Sequence, residues 1–231
     1  MRRWNRAVQG YFLLFLAGVP FAKAATIVST FSGTPPGYTP NGYKVSASSM
    51  FFLQLHNDWA MQFTVPAGAD YQLTGFSVPL KLDGLSPATV DFTVASDLAG
   101  KPGAGLATLS FPVSSSIAMI FAGKPVAQPT LTSGTAYWLM ASISPSTPNT
   151  GVDWLAPAGP FAPPTGLVAS RNVPMFPTWS VSSKVEAAYE IDGVAIGGST
   201  VPEPSSTQLP MVGLLALIGL ANHRAHRSLL T

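Results

Sequence analysis

Apolar and polar residues alternate with a period of two through most of the chain between residues 25 and 196. The stretches that carry this pattern are 59–65, 76–82, 90–94, 109–113, 137–143 and 185–191. Successive side chains of a β-strand point to opposite faces, so each stretch would have one buried and one polar face. Several such strands separated by Gly/Pro turns predict an all-β fold, an antiparallel β-sandwich of jelly-roll type.

Prolines and turn formers add local expectations to this pattern. Pro79 lacks a ladder donor, which predicts an edge strand or a bulge. The segment 56–59 contains Asn and Asp and is expected to form a turn that opens a strand. In 185–191, the alternation predicts that Glu186 faces solvent. Region 144–177 holds eight prolines and is expected to form long loops over one end of the sandwich, with a short strand at 166–170.

The amino terminus has the three parts of a secretory signal peptide. Three arginines precede a short apolar run at 11–19, and Ala22-Lys23-Ala24 follows as an A-x-A cleavage site. The apolar run is too short to span a bilayer, which needs about 20 apolar residues. We therefore expect cleavage after Ala24, with a retained N-terminal anchor as the alternative.

The carboxyl terminus has the order of a sorting tail. Pro202 and Pro204 force extended backbone around Glu203. A thirteen-residue apolar run follows at 209–221, covering about 20 Å of a hydrocarbon core of about 30 Å. Two arginines, Arg224 and Arg227, then favour a cytoplasmic end. This predicts a weak, temporary membrane span and three segments: a signal peptide at 1–24, an ectodomain at 25–196 and a tail at 197–231.

This tail resembles the PEP-CTERM sorting signal of Gram-negative surface proteins. The residues that carry the resemblance are Val201, Pro202, Glu203, Pro204 and Ser205, with the apolar run and the basic stop behind them. The resemblance implies export by the secretion machinery and signal peptidase, and a transient inner-membrane anchor. It further implies cleavage near Pro-Glu-Pro by exosortase, a membrane-embedded cysteine transpeptidase-like enzyme. Here the basic stop departs from the pattern, with only two arginines interrupted by histidines.

The middle of the chain is similar to the choice-of-anchor group of exported bacterial domains, most closely to type R. The stretch Leu131-Thr-Ser-Gly-Thr-Ala-Tyr-Trp-Leu is the most telling part, preceded by Tyr71-Gln-Leu-Thr-Gly-Phe-Ser-Val and by Asp97-Leu-Ala-Gly-Lys-Pro-Gly. The similarity covers about 26–193. It implies a β-sandwich ectodomain with interchangeable surface anchors and no assigned activity.

Charge and cysteine content narrow the function classes. The whole chain has a net charge of +2, but without the signal peptide and the tail six basic residues stand against nine acidic ones. Such a domain is not expected to bind nucleic acid. Cysteine is absent, which excludes disulfides, thiol nucleophiles and Cys-based zinc sites.

The search for catalytic groups yields weak candidates. His56 is the only histidine of the ectodomain and lacks a nucleophile-elbow motif. A glycosidase would need two facing carboxylates; Asp91 with Asp97, or Asp153 with Glu186, are the conceivable pairs. Calcium on Asp83, Asp91 or Asp97 has no D-x-D-x-D loop to support it. We therefore expect a non-enzyme without cofactor or metal.

Aromatic residues of the loop region are the better binding candidates, because exposed rings can stack on sugars. They are Trp154 and Trp179, accompanied by Phe161 and Phe176. The leading hypothesis is an exported, non-catalytic surface or extracellular-matrix protein associated with exopolysaccharide. A carbohydrate-binding module that uses Trp154 and Trp179 is the alternative. A permanently anchored ectodomain or a cryptic glycosidase comes third.

Overall fold

The computed structural model describes residues 24–31, 37–50, 53–84, 86–143, 149–158 and 166–196. The predicted signal peptide before Ala24 and the predicted tail at 197–231 lie outside these residues. The described part has strands and no helix, and every strand pair is antiparallel. The prediction of an all-β, antiparallel fold is therefore confirmed.

Thirteen strands of the described residues form one sheet. They are β1 Ala25–Ser29, β2 Tyr38–Met50, β3 Leu53–Thr64, β4 Asp70–Leu82, β5 Ala88–Asp97, β6 Pro102–Val113, β7 Met119–Gly123, β8 Thr130–Leu131, β9 Ala136–Ile143, β10 Thr150–Pro157, β11 Leu167–Val173, β12 Phe176–Ser183 and β13 Glu190–Ile196. The main path runs β1-β13-β4-β10-β2-β3-β9-β5-β6. β7 and β8 pair with β4, β11 pairs with β3, and β12 pairs with β11.

The sheet curls so that strands far apart along this path share one core. The ring of Phe76 on β4 lies 6.3 Å from that of Phe92 on β5 and 6.1 Å from that of Phe111 on β6, between centroids. Trp154 on β10 meets Phe92 edge-on at 4.9 Å. Burying each such ring contributes about 1.5–3 kcal/mol. The apolar faces predicted from the alternation thus meet across the curl.

β3 changes partner at Asp58. Up to Asn57 its edge pairs with β2, and from Trp59 onward the same edge pairs with β9. The carbonyl of Lys44, beyond the last β2–β3 pair, accepts hydrogen bonds from Asn57 Nδ2 (3.1 Å) and Trp59 Nε1 (3.0 Å). The prediction of a turn at 56–59 is wrong, because the amide that suggested a turn instead binds this carbonyl inside a strand.

Pro79 also lies inside the sheet. β13 pairs with β4 up to Ser77, and β10 pairs with it from Leu80. β7 occupies the opposite edge, since it pairs with Phe76 and Leu80 as well. On one edge of β4, Pro79 falls between the residues that pair with β13 and those that pair with β10, so neither of these two ladders includes it, and on the other edge it lies opposite Ile120 of β7. The predicted edge position is therefore wrong for β4.

The described parts of region 144–177 are mostly strand rather than long loops, and β11 confirms the short strand predicted at 166–170. β10 runs through it, pairs with both β2 and β4, and is buried along most of its length. β11 and the start of β12 follow it in the same region. Pro157 is the last residue of β10, and Pro177 lies on β12, whose only described partner is β11. The described prolines of the region therefore lie at a strand end, in the turn between β11 and β12 and on an outer strand, where a missing donor costs little.

The predicted strand at 185–191 begins only at Glu190. Residues 184–189 form no regular element, and Glu186 is 5% exposed. The expectation that Glu186 faces solvent is thus wrong, because the period-two argument does not apply outside a strand.

Candidate functional site

The two tryptophans proposed for ligand binding occupy different environments. Trp154 is 0% exposed, and its Nε1 donates to the carbonyl of Ala188 at 2.8 Å. Its ring has no exposed face on which a sugar could stack, so Trp154 is not a ligand-binding residue of the kind predicted. Trp179 on β12 is half-buried. Phe176 is exposed, and Phe161 lies outside the described residues.

Trp179 lies on the face of the sheet opposite the main core. It packs against a small second cluster formed by Ala60, Ala95, Trp138 and Ala169. The guanidinium carbon of Arg171 sits 4.5 Å from the centre of the Trp179 ring. This cation–π contact stabilises a half-exposed pair by about 0.5–1 kcal/mol. Trp179 and Arg171 therefore form one ordered surface feature of the β11–β12 hairpin.

Arg171 also binds Asp58 on the neighbouring strand. The two residues are register partners between β11 and β3, and Arg171 Nε donates to Asp58 Oδ2 at 2.8 Å. Asp58 is 4% exposed. Burial raises the pKa of its carboxyl group, while the hydrogen bond and charge of Arg171 and the nearby His56 act in the opposite direction. The ion pair with Arg171 thus offsets part of the effect of burial on this carboxyl group.

Further polar atoms lie beside this pair. His56 Nδ1, Asp58 Oδ1 and Asn172 Oδ1 are buried without a hydrogen-bond partner in the described part of the chain. Residues 56 and 58 share one face of β3, because side chains two apart on a strand point the same way. The site therefore has a Trp–Arg surface above a carboxylate that still has acceptor capacity. Because Arg171 already binds that carboxylate, it is poorly placed to act as a general base.

The other candidate carboxylates have protein partners. Asp83 pairs with Lys44 at 2.7 Å, and Asp153 pairs with Lys81 at 3.2 Å. Hydrogen bonding by Lys44, with its charge, lowers the pKa of Asp83 against the effect of burial. Asp91 accepts a hydrogen bond from the hydroxyl of Ser110.

Asp97 binds three donors. Its Oδ1 accepts from Trp138 Nε1 (2.7 Å) and Gln62 Nε2 (3.1 Å), and its Oδ2 accepts from the backbone N–H of Gly100 (2.9 Å). Burial opposes ionisation, but the three donors outweigh it and lower the pKa of Asp97. Asp97 therefore ties the β5–β6 turn to β9 and β3. Within the described ranges, no group of three His, Cys, Asp or Glu residues could hold a metal ion.

Sequence reasoning missed the Asp58–Arg171 pair and the burial of Glu186. Asp58 shares its strand face with Ala60 and Gln62, which the alternation assigns to the polar side. Nothing near Asp58 in the sequence announces Arg171, which is 113 residues away. A buried ion pair across two distant strands leaves no local signature.

The sorting motif Val201–Ser205 and the basic stop at Arg224 and Arg227 lie outside the described residues. Within the described residues, no helix has the length and apolarity needed to cross a membrane. No protein-family model matches this chain, and no curated protein matches it either.

Proposed function

We propose that this is an exported, non-catalytic surface or extracellular-matrix protein whose carboxyl terminus is processed by exosortase. The observation that carries the proposal is the order of the tail: Val201–Ser205, then thirteen apolar residues, then Arg224 and Arg227. The signal-peptide pattern before Ala25 supports it. Association with exopolysaccharide is the role that the resemblance implies.

The short connection in sequence between the last strand and the tail motif supports processing beside a folded domain. β13 ends at Ile196, five residues before Val201. Five residues span at most about 18 Å. The Pro-Glu-Pro segment therefore begins within a short reach of the sheet, and its two prolines favour the extended backbone that a protease cleft binds.

We further propose that the curled sheet is a jelly-roll-like β-sandwich, as the choice-of-anchor resemblance implies. Contacts of Phe76 with Phe92 and Phe111, from strands distant along the sheet path, support two facing layers. The engagement of Asp58, Asp83 and Asp97 by protein donors supports a role without catalysis.

A carbohydrate-binding module is the second candidate, now through Trp179 alone. The half-exposed ring, held by Arg171 above a buried carboxylate, favours it. If Trp179→Ala leaves binding to the producer's own polysaccharide unchanged, this use of the ring is excluded.

The main proposal is tested by fractionating tagged protein from hosts with and without exosortase. We expect a smaller form outside the cell only when the enzyme is present. A variant with Pro202→Ala, Glu203→Ala and Pro204→Ala is expected to remain full-length in both hosts, and Glu190→Ala serves as a matched control that is processed normally. One full-length membrane form of the unaltered protein in both hosts would instead indicate a permanent anchor.

A further inference from the structure

A cavity of about 340 Å³ opens between β1, the end of β3 and the segment that precedes β13. Its volume is near the lower end of the range of small-molecule sites, about 300–1,000 Å³. Ser29 and Thr64 stand at its exposed rim, and Phe63, Glu186 and Tyr189 line its buried part. None of these residues belongs to the Trp179 surface, so the cavity is a separate candidate site.

The buried part of the cavity contains a hydrogen-bond acceptor, the carboxyl group of Glu186. Glu186 is 5% exposed, and its charge contributes, after burial, to raising the pKa values of Tyr43 and Tyr189. Tyr189 donates its hydroxyl to the carbonyl of Gln62 at 3.2 Å, which holds its ring in place. A carboxylate has about four acceptor positions, so Glu186 can accept from a ligand in addition to its protein contacts.

Gly166 makes room for this carboxylate. A Cβ atom at position 166 would lie 1.9 Å from Glu186 Oε1 and 2.8 Å from the carbonyl oxygen of Gln62. Any larger residue would therefore push the Glu186 side chain out of its position. The cavity thus depends on a glycine 20 positions away in sequence from the acid that it accommodates.

The lining favours a neutral ligand with several hydroxyl groups. Among the described residues, no Lys, Arg or His lines the cavity, so the negative charge of Glu186 would repel an anion bound there. Calcium takes six to eight oxygen ligands and usually several carboxylates, whereas Glu186 is the single acid among the described residues of the lining. The hydroxyl groups at the rim and the carboxyl group in the buried part suit a ligand that can donate and accept hydrogen bonds at several positions.

We infer that this cavity binds one pyranose-sized ring of a neutral sugar, with Glu186 accepting hydrogen bonds from its hydroxyls. Charge-assisted bonds of this kind are roughly twice as strong as neutral ones. The inference depends on the cavity alone and not on how the tail is processed.

The test measures binding of methyl α-glucopyranoside and methyl α-mannopyranoside to the purified full-length chain in a detergent that contains no sugar. Saturation-transfer NMR and calorimetry are expected to give saturable binding of at least one of them, with a Kd of about 1 mM, as fits so small a ligand. Thr64→Trp, which places a bulky side chain at the exposed rim, should weaken binding at least tenfold. Gly166→Ala should do the same by displacing Glu186.

Thr108→Trp is the matched control: it places the same bulky side chain at an exposed threonine of β6 that does not line the cavity, and it should bind the pyranoside as the unaltered protein does. Melting temperatures establish whether each variant is folded. If Gly166→Ala does not fold, Thr64→Trp still tests the inference. Absence of binding by both pyranosides, or unchanged affinity in folded Thr64→Trp, would overturn the inference. Preferential binding of glucuronate, methylammonium or calcium would overturn the assignment to a neutral sugar.

Discussion

Ala25, the first residue after the predicted signal-peptide cleavage site, lies opposite Gly193 in the ladder between β1 and β13. β13 ends three residues later, at Ile196. The strand that follows the predicted signal peptide and the strand that leads to the tail are therefore neighbours. Cleavage after Ala24 would leave β1 complete.

The contribution of β1 to stability can be measured at Ile27. Its side chain is buried and fills the space above Gly193, where an added Cβ would come within 2.5 Å of Ile27 Cδ1. We expect Ile27→Ala to lower the free energy of unfolding by about 2–5 kcal/mol. Exposed Thr26→Ala should change it by less than about 0.5 kcal/mol. Equal midpoints for the two variants in chemical denaturation would show that β1 is not packed as described.

The ion pair between Asp58 and Arg171 should stabilise the β3–β11 pairing. Arg171→Met leaves a buried carboxylate without its partner, and because the arginine is partly exposed we expect a loss of about 1–3 kcal/mol at pH 7. The double variant with Asp58→Asn should recover part of this loss.

The pH dependence of this loss follows from the raised pKa of Asp58. Burial favours the protonated carboxyl in the folded state, so the stability that Asp58 contributes is full below the ordinary pKa of 3.8 and falls as pH rises through the folded value. Removing Arg171 raises the folded pKa further. The deficit of Arg171→Met should therefore grow between about pH 4 and pH 7, and a deficit independent of pH would rule out an electrostatic origin.

The contribution of Asp97 to stability should depend on pH in the opposite direction. Its pKa is lowered in the folded protein, so its contribution is present above 3.8 and lost as pH falls through the folded value. Asp97→Ala also leaves the Trp138 indole N–H buried without its acceptor, at a cost of about 1–3 kcal/mol. Denaturation from pH 2 to pH 7 should show the gap to the unaltered protein narrowing toward acid. Asp91→Ala, which bears on an exposed pair, is the control and should differ little.

The two tryptophans provide a direct comparison of core and surface. Trp154→Ala removes a fully buried ring and should cost about 3–5 kcal/mol, whereas Trp179→Ala removes a half-exposed ring and a cation–π contact and should cost about 1–2 kcal/mol. Thermal unfolding of both variants measures the difference. Similar costs would contradict the burial described for Trp154.

The alternation of apolar and polar residues predicted most strands of the sheet, but not β10 or the burial of Asp58 and Glu186. Alternation placed β3, β4, β5 and β9 because period two is a property of each strand alone. It could not place β10. This strand pairs with β2 and β4 within the sheet, and most of its residues are buried on both faces, so the sequence has no regular polar side there. The buried state of Glu186 depends on the absence of a side chain at Gly166, and that of Asp58 on Arg171. Such relations arise only when distant segments meet.

The most direct test of the account is intact-mass spectrometry of the native protein isolated from its producing cell, with peptide mapping of both ends. The proposed processing predicts an amino terminus at Ala25 and a carboxyl terminus close to Pro202–Pro204, without the apolar run. Recovery of mature surface material that still extends to Thr231 would contradict it.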